Sequence, residues 1–144
     1  MDNPGGTSTC SSPYNLGNVL SGASAASPTR VLAGTGTDWY VVNFPASGLN
    51  GAPSIVLGRN DANAYVFDII TGGGSGCAGS AMSCGDGGVS TGRTNWQFFD
   101  ACVAQGCAFR NPGTPFPLIT MYIGVRRAVP TATDCNQYLL QVTR

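Results

Sequence analysis

The chain has 144 residues, with seven Arg against seven Asp for a formal net charge of zero, and it contains no His, Lys or Glu. That length fits one domain with a sizeable core, and the charge balance leaves neither a basic stripe for nucleic acid nor a polybasic membrane patch. No apolar run approaches the ~20 residues of a bilayer span. Without His or Lys, the usual activated serines, Schiff-base amines and imidazole metal ligands cannot be assembled.

In chain order, residues 1–28 read as an irregular N-terminal segment, and Ser21 to Ser27 as a loop or irregular edge. Met1-Asp2-Asn3-Pro4 lacks the basic and apolar regions of a signal peptide, so the sequence reads as a processed chain or a piece of a larger one. An early strand is expected around Thr29 to Ala33. Thr37 to Phe44 is the best strand, rich in aromatic and β-branched residues and stopped by Pro45. Pro53 to Leu57 follows a turn-rich stretch, and then Tyr65, Phe67 and Ile69 alternate with Val66, Asp68 and Ile70. Gly72 to Gly92, with nine glycines, reads as a long loop excursion.

Trp96 to Phe99 is a shorter strand candidate. Ile119, Met121, Ile123 and Val125 alternate with Thr120, Tyr122, Gly124 and Arg126, giving one buried face and one wetter face. Tyr138, Leu140 and Val142 repeat that pattern at the end of the chain. Asp38, Asp68 and Asp134 fall at strand ends or exposed faces in this reading. Short strands between Gly/Pro turns, without helix-forming Lys and Glu, predict a single all-β domain over 1–144. The expected architecture is an antiparallel two-sheet β-sandwich of jelly-roll-like order.

Cys10, Cys77, Cys84, Cys102, Cys107 and Cys135 are an even set that sequence alone does not pair. No C-x2-C spacing occurs and no His completes a zinc site. Proximity predicts Cys77–Cys84 and Cys102–Cys107 as closures of small loops. Cys10–Cys135 is then left to join the N-terminal segment to the start of the last strand. A disulfide-stapled domain belongs in an oxidising compartment, secreted or at the cell surface.

Gly74 to Gly79 matches G-x-G-x-x-G, but no helix begins there to meet a pyrophosphate, and the match reads as a loop. Asp61 and Asn63 are weak Ca²⁺ candidates in a compact turn. One carboxylate supplies few of the oxygens calcium needs, and satisfying turn amides is the plainer role. No metal or cofactor is otherwise expected. Asp86 reads as a turn residue before it reads as an acid. Among the aromatics, Trp39, Trp96, Tyr40, Tyr65, Phe98 and Phe99 can line either a core or a flat carbohydrate- or polymer-binding platform. Core packing is favoured for Tyr40, Tyr65 and Phe98. Trp96, Phe99 and Phe109, with Arg93 and Arg110, lie beside the glycine-rich excursion and are the candidate binding patch. Arg126 and Arg127 read as paired or solvated surface charge.

The segments Asp38-Trp39-Tyr40-Val41-Val42-Asn43-Phe44, Tyr122-Ile123-Gly124-Val125 and Tyr138-Leu139-Leu140-Gln141-Val142 resemble the strand motifs of bacterial pre-peptidase C-terminal domains. The resemblance implies a jelly-roll-like module appended to secreted proteins and without catalytic residues of its own. Relatives that bind collagen carry calcium through acidic residues near the N-terminus. Here Asp2-Asn3-Pro4-Gly5 offers one carboxylate, and the cysteine-bearing excursion is an unusual addition.

The function expected is therefore non-catalytic: a secreted module that binds or adheres to a protein or polysaccharide surface. One alternative is a self-associating structural subunit of an extracellular fibre or surface layer, since low charge suits a durable assembly. An Asp-dependent hydrolase is the other, and the carboxylates lack a supporting cleft motif.

Overall fold

The computed structural model describes residues 9–32, 34–46, 53–71, 80–81, 83–84, 88–89, 91–97 and 118–144. Eleven strands run in chain order among them: β1 (Tyr14–Asn18), β2 (Ser24–Ala26), β3 (Thr37–Phe44), β4 (Ser54–Asn60), β5 (Tyr65–Thr71), β6 (Ser80–Ala81), β7 (Ser83–Cys84), β8 (Gly88–Val89), β9 (Asn95–Gln97), β10 (Ile119–Arg127) and β11 (Tyr138–Thr143). A first sheet has the order β1-β3-β10-β5-β6 and a second the order β2-β11-β4-β9, while β7 and β8 pair separately. Every pairing is antiparallel except β1 with β3.

Side-chain alternation explains why the two sheets close on one another. Along β3, Asp38, Tyr40, Val42 and Phe44 are buried while Thr37, Trp39, Val41 and Asn43 are half-buried. Along β10, Ile119, Met121, Ile123 and Val125 point inward, as the sequence pattern predicts. They meet Ile55 and Leu57 of β4, Tyr65, Phe67 and Ile69 of β5, and Tyr138, Leu140 and Val142 of β11 in one core. Burying such a side chain is worth about 1.5–3 kcal/mol, so the inner faces supply the main drive to fold.

The N-terminal region departs from expectation. Tyr14–Asn18 forms the edge strand β1, and Ser24–Ala26 forms β2 against β11. Of the strand expected around Thr29 to Ala33, the described residues 29–32 keep one bridge, between Arg30 and Tyr138. Ser-Ala-Ala has little intrinsic strand preference, and the open edge of β11 overrides it. β1 is broken by a register shift between Asn15 and Asn18. Gly17 sits there at φ +81°, a conformation glycine adopts without strain, and its N–H donates to Asn15 Oδ1 at 2.8 Å.

The expected staple between the N-terminal segment and the last strand does not form. Cys135 is an exposed free thiol, and Cys10 is disulfide-bonded to a residue other than Cys135. What ties the start of β11 to the rest instead is polar. Asp61 N–H donates to Gln137 O at 3.0 Å, Gln137 N–H donates to Asp61 Oδ2 at 3.1 Å, and Arg30 and Tyr138 exchange two backbone hydrogen bonds at 2.9 Å. The Cys77–Cys84 and Cys102–Cys107 pairings lie outside the described residues.

Two outcomes follow. Ile123→Ala, on the inner face of β10, lowers unfolding free energy by ~2–5 kcal/mol, whereas Val41→Ala on the outer face of β3 costs less than ~1 kcal/mol. Urea titration of both variants checks the parity of the sheet. A thiol reagent applied to the folded protein modifies Cys135, read by peptide mapping, and a Cys135 left unmodified contradicts its exposure.

Candidate functional site

Asp38 is the residue that the sequence places least well. It was expected at a strand end or an exposed face, and it is only 2% exposed. The signal was present in the alternation, since Asp38 shares parity with Tyr40, Val42 and Phe44. A carboxylate in that position requires strong hydrogen-bond partners. The Tyr138 hydroxyl donates to Asp38 Oδ2 at 2.5 Å, and the Tyr40 and Tyr138 hydroxyls are 2.8 Å apart. Tyr138 comes from β11 and the other two from β3, so the cluster joins the two sheets.

The surroundings extend this cluster into a file of rings and cations. The Tyr65 ring packs on Tyr138 with centroids 4.7 Å apart, and the Arg127 guanidinium lies 5.1 Å from the Tyr65 centroid. On the other flank, Tyr14 meets Tyr40 edge-on at 6.0 Å, and Arg30 lies 5.7 Å from the Tyr14 centroid. Such contacts add roughly 0.5–1.5 kcal/mol for each aromatic pair. Arg127, read from sequence as surface charge, is 2% exposed. Its guanidinium donates to Leu32 O at 2.6 Å, to Asp134 Oδ1 at 2.8 Å and to Asp134 O at 2.6 Å. Tyr65 Oη accepts the Leu32 N–H at 3.1 Å and donates to Asn136 O at 2.7 Å.

The electrostatics match this geometry. Burial pushes the Tyr40 phenol up to about 12; the Tyr138 hydrogen bond opposes the rise and the Asp38 charge adds to it. Burial also raises Tyr138 strongly, reinforced by its Tyr40 and Asp38 neighbours. The Arg127 hydrogen bond, with help from the Asn136 N–H, holds Asp134 below its ordinary value. Chemically, the cluster keeps two phenols protonated beside the Asp38 carboxyl, in an interior where Tyr40 and Tyr138 have no exposed surface. That is an arrangement for holding strands.

The other expected site residues take structural roles where the structure describes them. Trp96 is 6% exposed, with its side chain in the core from β9, so it is no surface contact. The inward parity of β9 opposite Ile55 of β4 decides this. Arg93 is half-buried and exchanges backbone hydrogen bonds with Phe67 at 2.7 and 2.9 Å. Phe98, Phe99, Phe109 and Arg110 lie outside the described residues, as do the G-x-G-x-x-G loop and Asp86. The two oxygens of Asp61 accept from Arg59 at 2.9 and 3.0 Å, and Asn63 sits at φ 53° in the exposed turn. Asp61 thus already serves Arg59 and the Gln137 amide.

A second surface emerges on the outer face of the first sheet. There Trp39 of β3 lies opposite Gly124 of β10, and Tyr122 lies between Val41 and Ile70. A Cβ built on Gly124 would meet the far edge of the Trp39 indole at 3.0 Å, so the ring reaches across the sheet over that glycine. Asp68 Oδ2 accepts Arg126 Nε at 2.9 Å beside it, and Asn43 Oδ1 accepts the Thr120 hydroxyl at 2.8 Å beyond it. Comparison with known proteins finds no matching family model, no matching curated protein and no matching solved structure.

Stability against pH reports on the buried phenols. Below an ordinary phenol value of 10.0 Tyr40 is protonated whether folded or unfolded; above it the unfolded chain ionises first. Stability is therefore flat up to that point and falls as pH rises toward about 12. Tyr138→Phe removes the donor to Asp38, lowers stability at neutral pH by roughly 1.5–3 kcal/mol, and makes the alkaline decline shallower. Denaturant unfolding across that pH range is the measurement.

Proposed function

We propose that the chain is a non-catalytic module acting outside the cytoplasm, a jelly-roll-like sandwich of the pre-peptidase C-terminal kind that binds a protein or polysaccharide surface. The reading is supported by strand order, since β2 to β5 alternate between the two sheets and β10 and β11 return one to each.

The observation that carries the non-catalytic part is how the described aspartates are engaged. Asp61 pairs with Arg59, Asp68 with Arg126, and Asp134 with Arg127, while Asp38 is buried against Tyr138. With no Glu or His in the chain, these are, among the described residues, the carboxylates an acid–base mechanism would draw on. Each instead joins one strand or turn to another. Two carboxylates flanking a reactive bond would need one to stay ionised and one to be protonated, facing shared space. Arginine partners favour the ionised forms of Asp61 and Asp134.

A second reading, self-association into a fibre or surface layer, is favoured by β1. This strand is mostly exposed, pairs only with β3 among the described residues, and carries a register break. Edge strands of this kind can pair with another copy.

The protein is expected to hydrolyse peptide, ester and glycoside substrates no faster than background. Asp61→Asn, Asp68→Asn and Asp134→Asn are expected to lower thermal stability without changing that result. Turnover that vanishes in one such variant defeats the proposal. Light scattering under non-reducing conditions separates the two non-catalytic readings: a monomer supports the binding module, and a filament supports self-association.

A further inference from the structure

The outer face of the first sheet brings together aromatic side chains, a glycine within a strand and paired polar groups. Its central strands pair without a bulge: β10 runs in unbroken register with β3 from Ile119 to Arg126 and with β5 from Tyr122 to Arg127. A regular three-strand stretch gives a broad, even surface. On it Trp39 and Tyr122 are diagonal cross-strand neighbours, a relation that puts their Cα atoms about 7–8 Å apart. Val41, Ile70 and Val66 continue the apolar area, and all five side chains are half-buried, keeping part of their surface in solvent.

Gly124 is the unusual choice on that face. β10 needs no turn there, and a side chain would collide with the indole and with the Thr37 methyl at 3.1 Å. Glycine in a strand interior costs roughly 0.5–1 kcal/mol relative to Ala, and here it lets the tryptophan lie down across the sheet. An aromatic ring laid across a sheet presents a flat apolar surface with a polar N–H at its rim.

The charges fix the ligand class further. Arg126 is the only cation that these rows of β3, β10 and β5 carry, and Asp68 answers it with both oxygens, at 2.9 and 3.2 Å. These described rows are therefore neutral, which disfavours polyanions and strongly charged peptides. Its polar groups are a bidentate ion pair on one side of the aromatics and the Asn43–Thr120 pair on the other. Flat apolar area flanked by fixed donors and acceptors complements a pyranose chain, whose ring faces are C–H surfaces and whose edges are hydroxyls.

We infer that this face, centred on Trp39 and Tyr122 over Gly124, binds a neutral polysaccharide. Sugar rings stack on the two aromatics, and hydroxyls hydrogen-bond to Asp68, Arg126, Asn43 and Thr120. The inference rests on the binding-module reading and deepens it. It also moves the contact away from the glycine-rich excursion to the regular sheet.

The test uses the full chain with microcrystalline cellulose and chitin in depletion assays and xylan in affinity electrophoresis. Binding to at least one of these polysaccharides is expected, weakened by roughly tenfold or more in Trp39→Ala and in Tyr122→Ala, with circular dichroism unchanged. If Trp39→Ala loses its fold, Tyr122→Ala decides alone. No retention on any of the three overturns the inference, as does binding that a folded variant keeps at full strength. The non-catalytic reading is judged separately by the hydrolysis assays, so the two fail independently.

Discussion

The hydroxyl of Tyr138 is the contact on which the interior depends. It donates to Asp38, meets the Tyr40 hydroxyl, and belongs to the sheet opposite both. An apolar core closes on almost any partner of suitable volume, because the hydrophobic drive has no direction. A buried carboxylate does not, since leaving it without donors carries a desolvation penalty of roughly 1–3 kcal/mol or more. Asp38 therefore selects one register for β11 relative to β3. The neighbouring contacts, Tyr65 on Tyr138 and Arg127 on Tyr65, carry that selection to β5 and β10.

Arg127 extends the same logic to segments without regular structure. Residues 128–137 and the stretch around Leu32 have almost no ladder hydrogen bonds, yet their carbonyls need partners. One guanidinium satisfies Leu32 O, Asp134 O and the Asp134 carboxylate together. The planar fork of arginine makes this possible, and a lysine would reach fewer of these acceptors in fixed geometry. The chain thus uses arginine and aspartate inside the fold as cross-links between strands and loops. On the outer face of the first sheet one such pair, Arg126 with Asp68, stands beside aromatic and neutral polar groups.

Much of the fold was legible in the chain. The period-two patterns of Thr37–Phe44, Ile119–Arg127 and Tyr138–Thr143 are long enough to mark inner and outer faces, and each became a strand with the expected side buried. The absence of His, Lys and Glu bounds the chemistry just as directly. The outer-face residues Tyr122, Gly124 and Arg126 were already set apart as the wetter side of their strand. Their meeting with Trp39 was not, because cross-strand neighbours depend on a register that no single strand contains.

Tertiary structure alone decided the rest. Tyr14–Asn18 and Ser24–Ala26 became strands because β3 and β11 offered unpaired edges, not because their residues prefer extended backbone. Trp96 went to the core because the β4–β9 pairing turned it inward. Cys135 remained a free thiol although loop counting paired it with Cys10, since spacing along the chain does not fix distance in space. The sequence by itself determined the class of fold and the chemistry the chain can hold, because both follow from residue type and period. Which residues face each other came only from strands far apart in the chain being brought side by side.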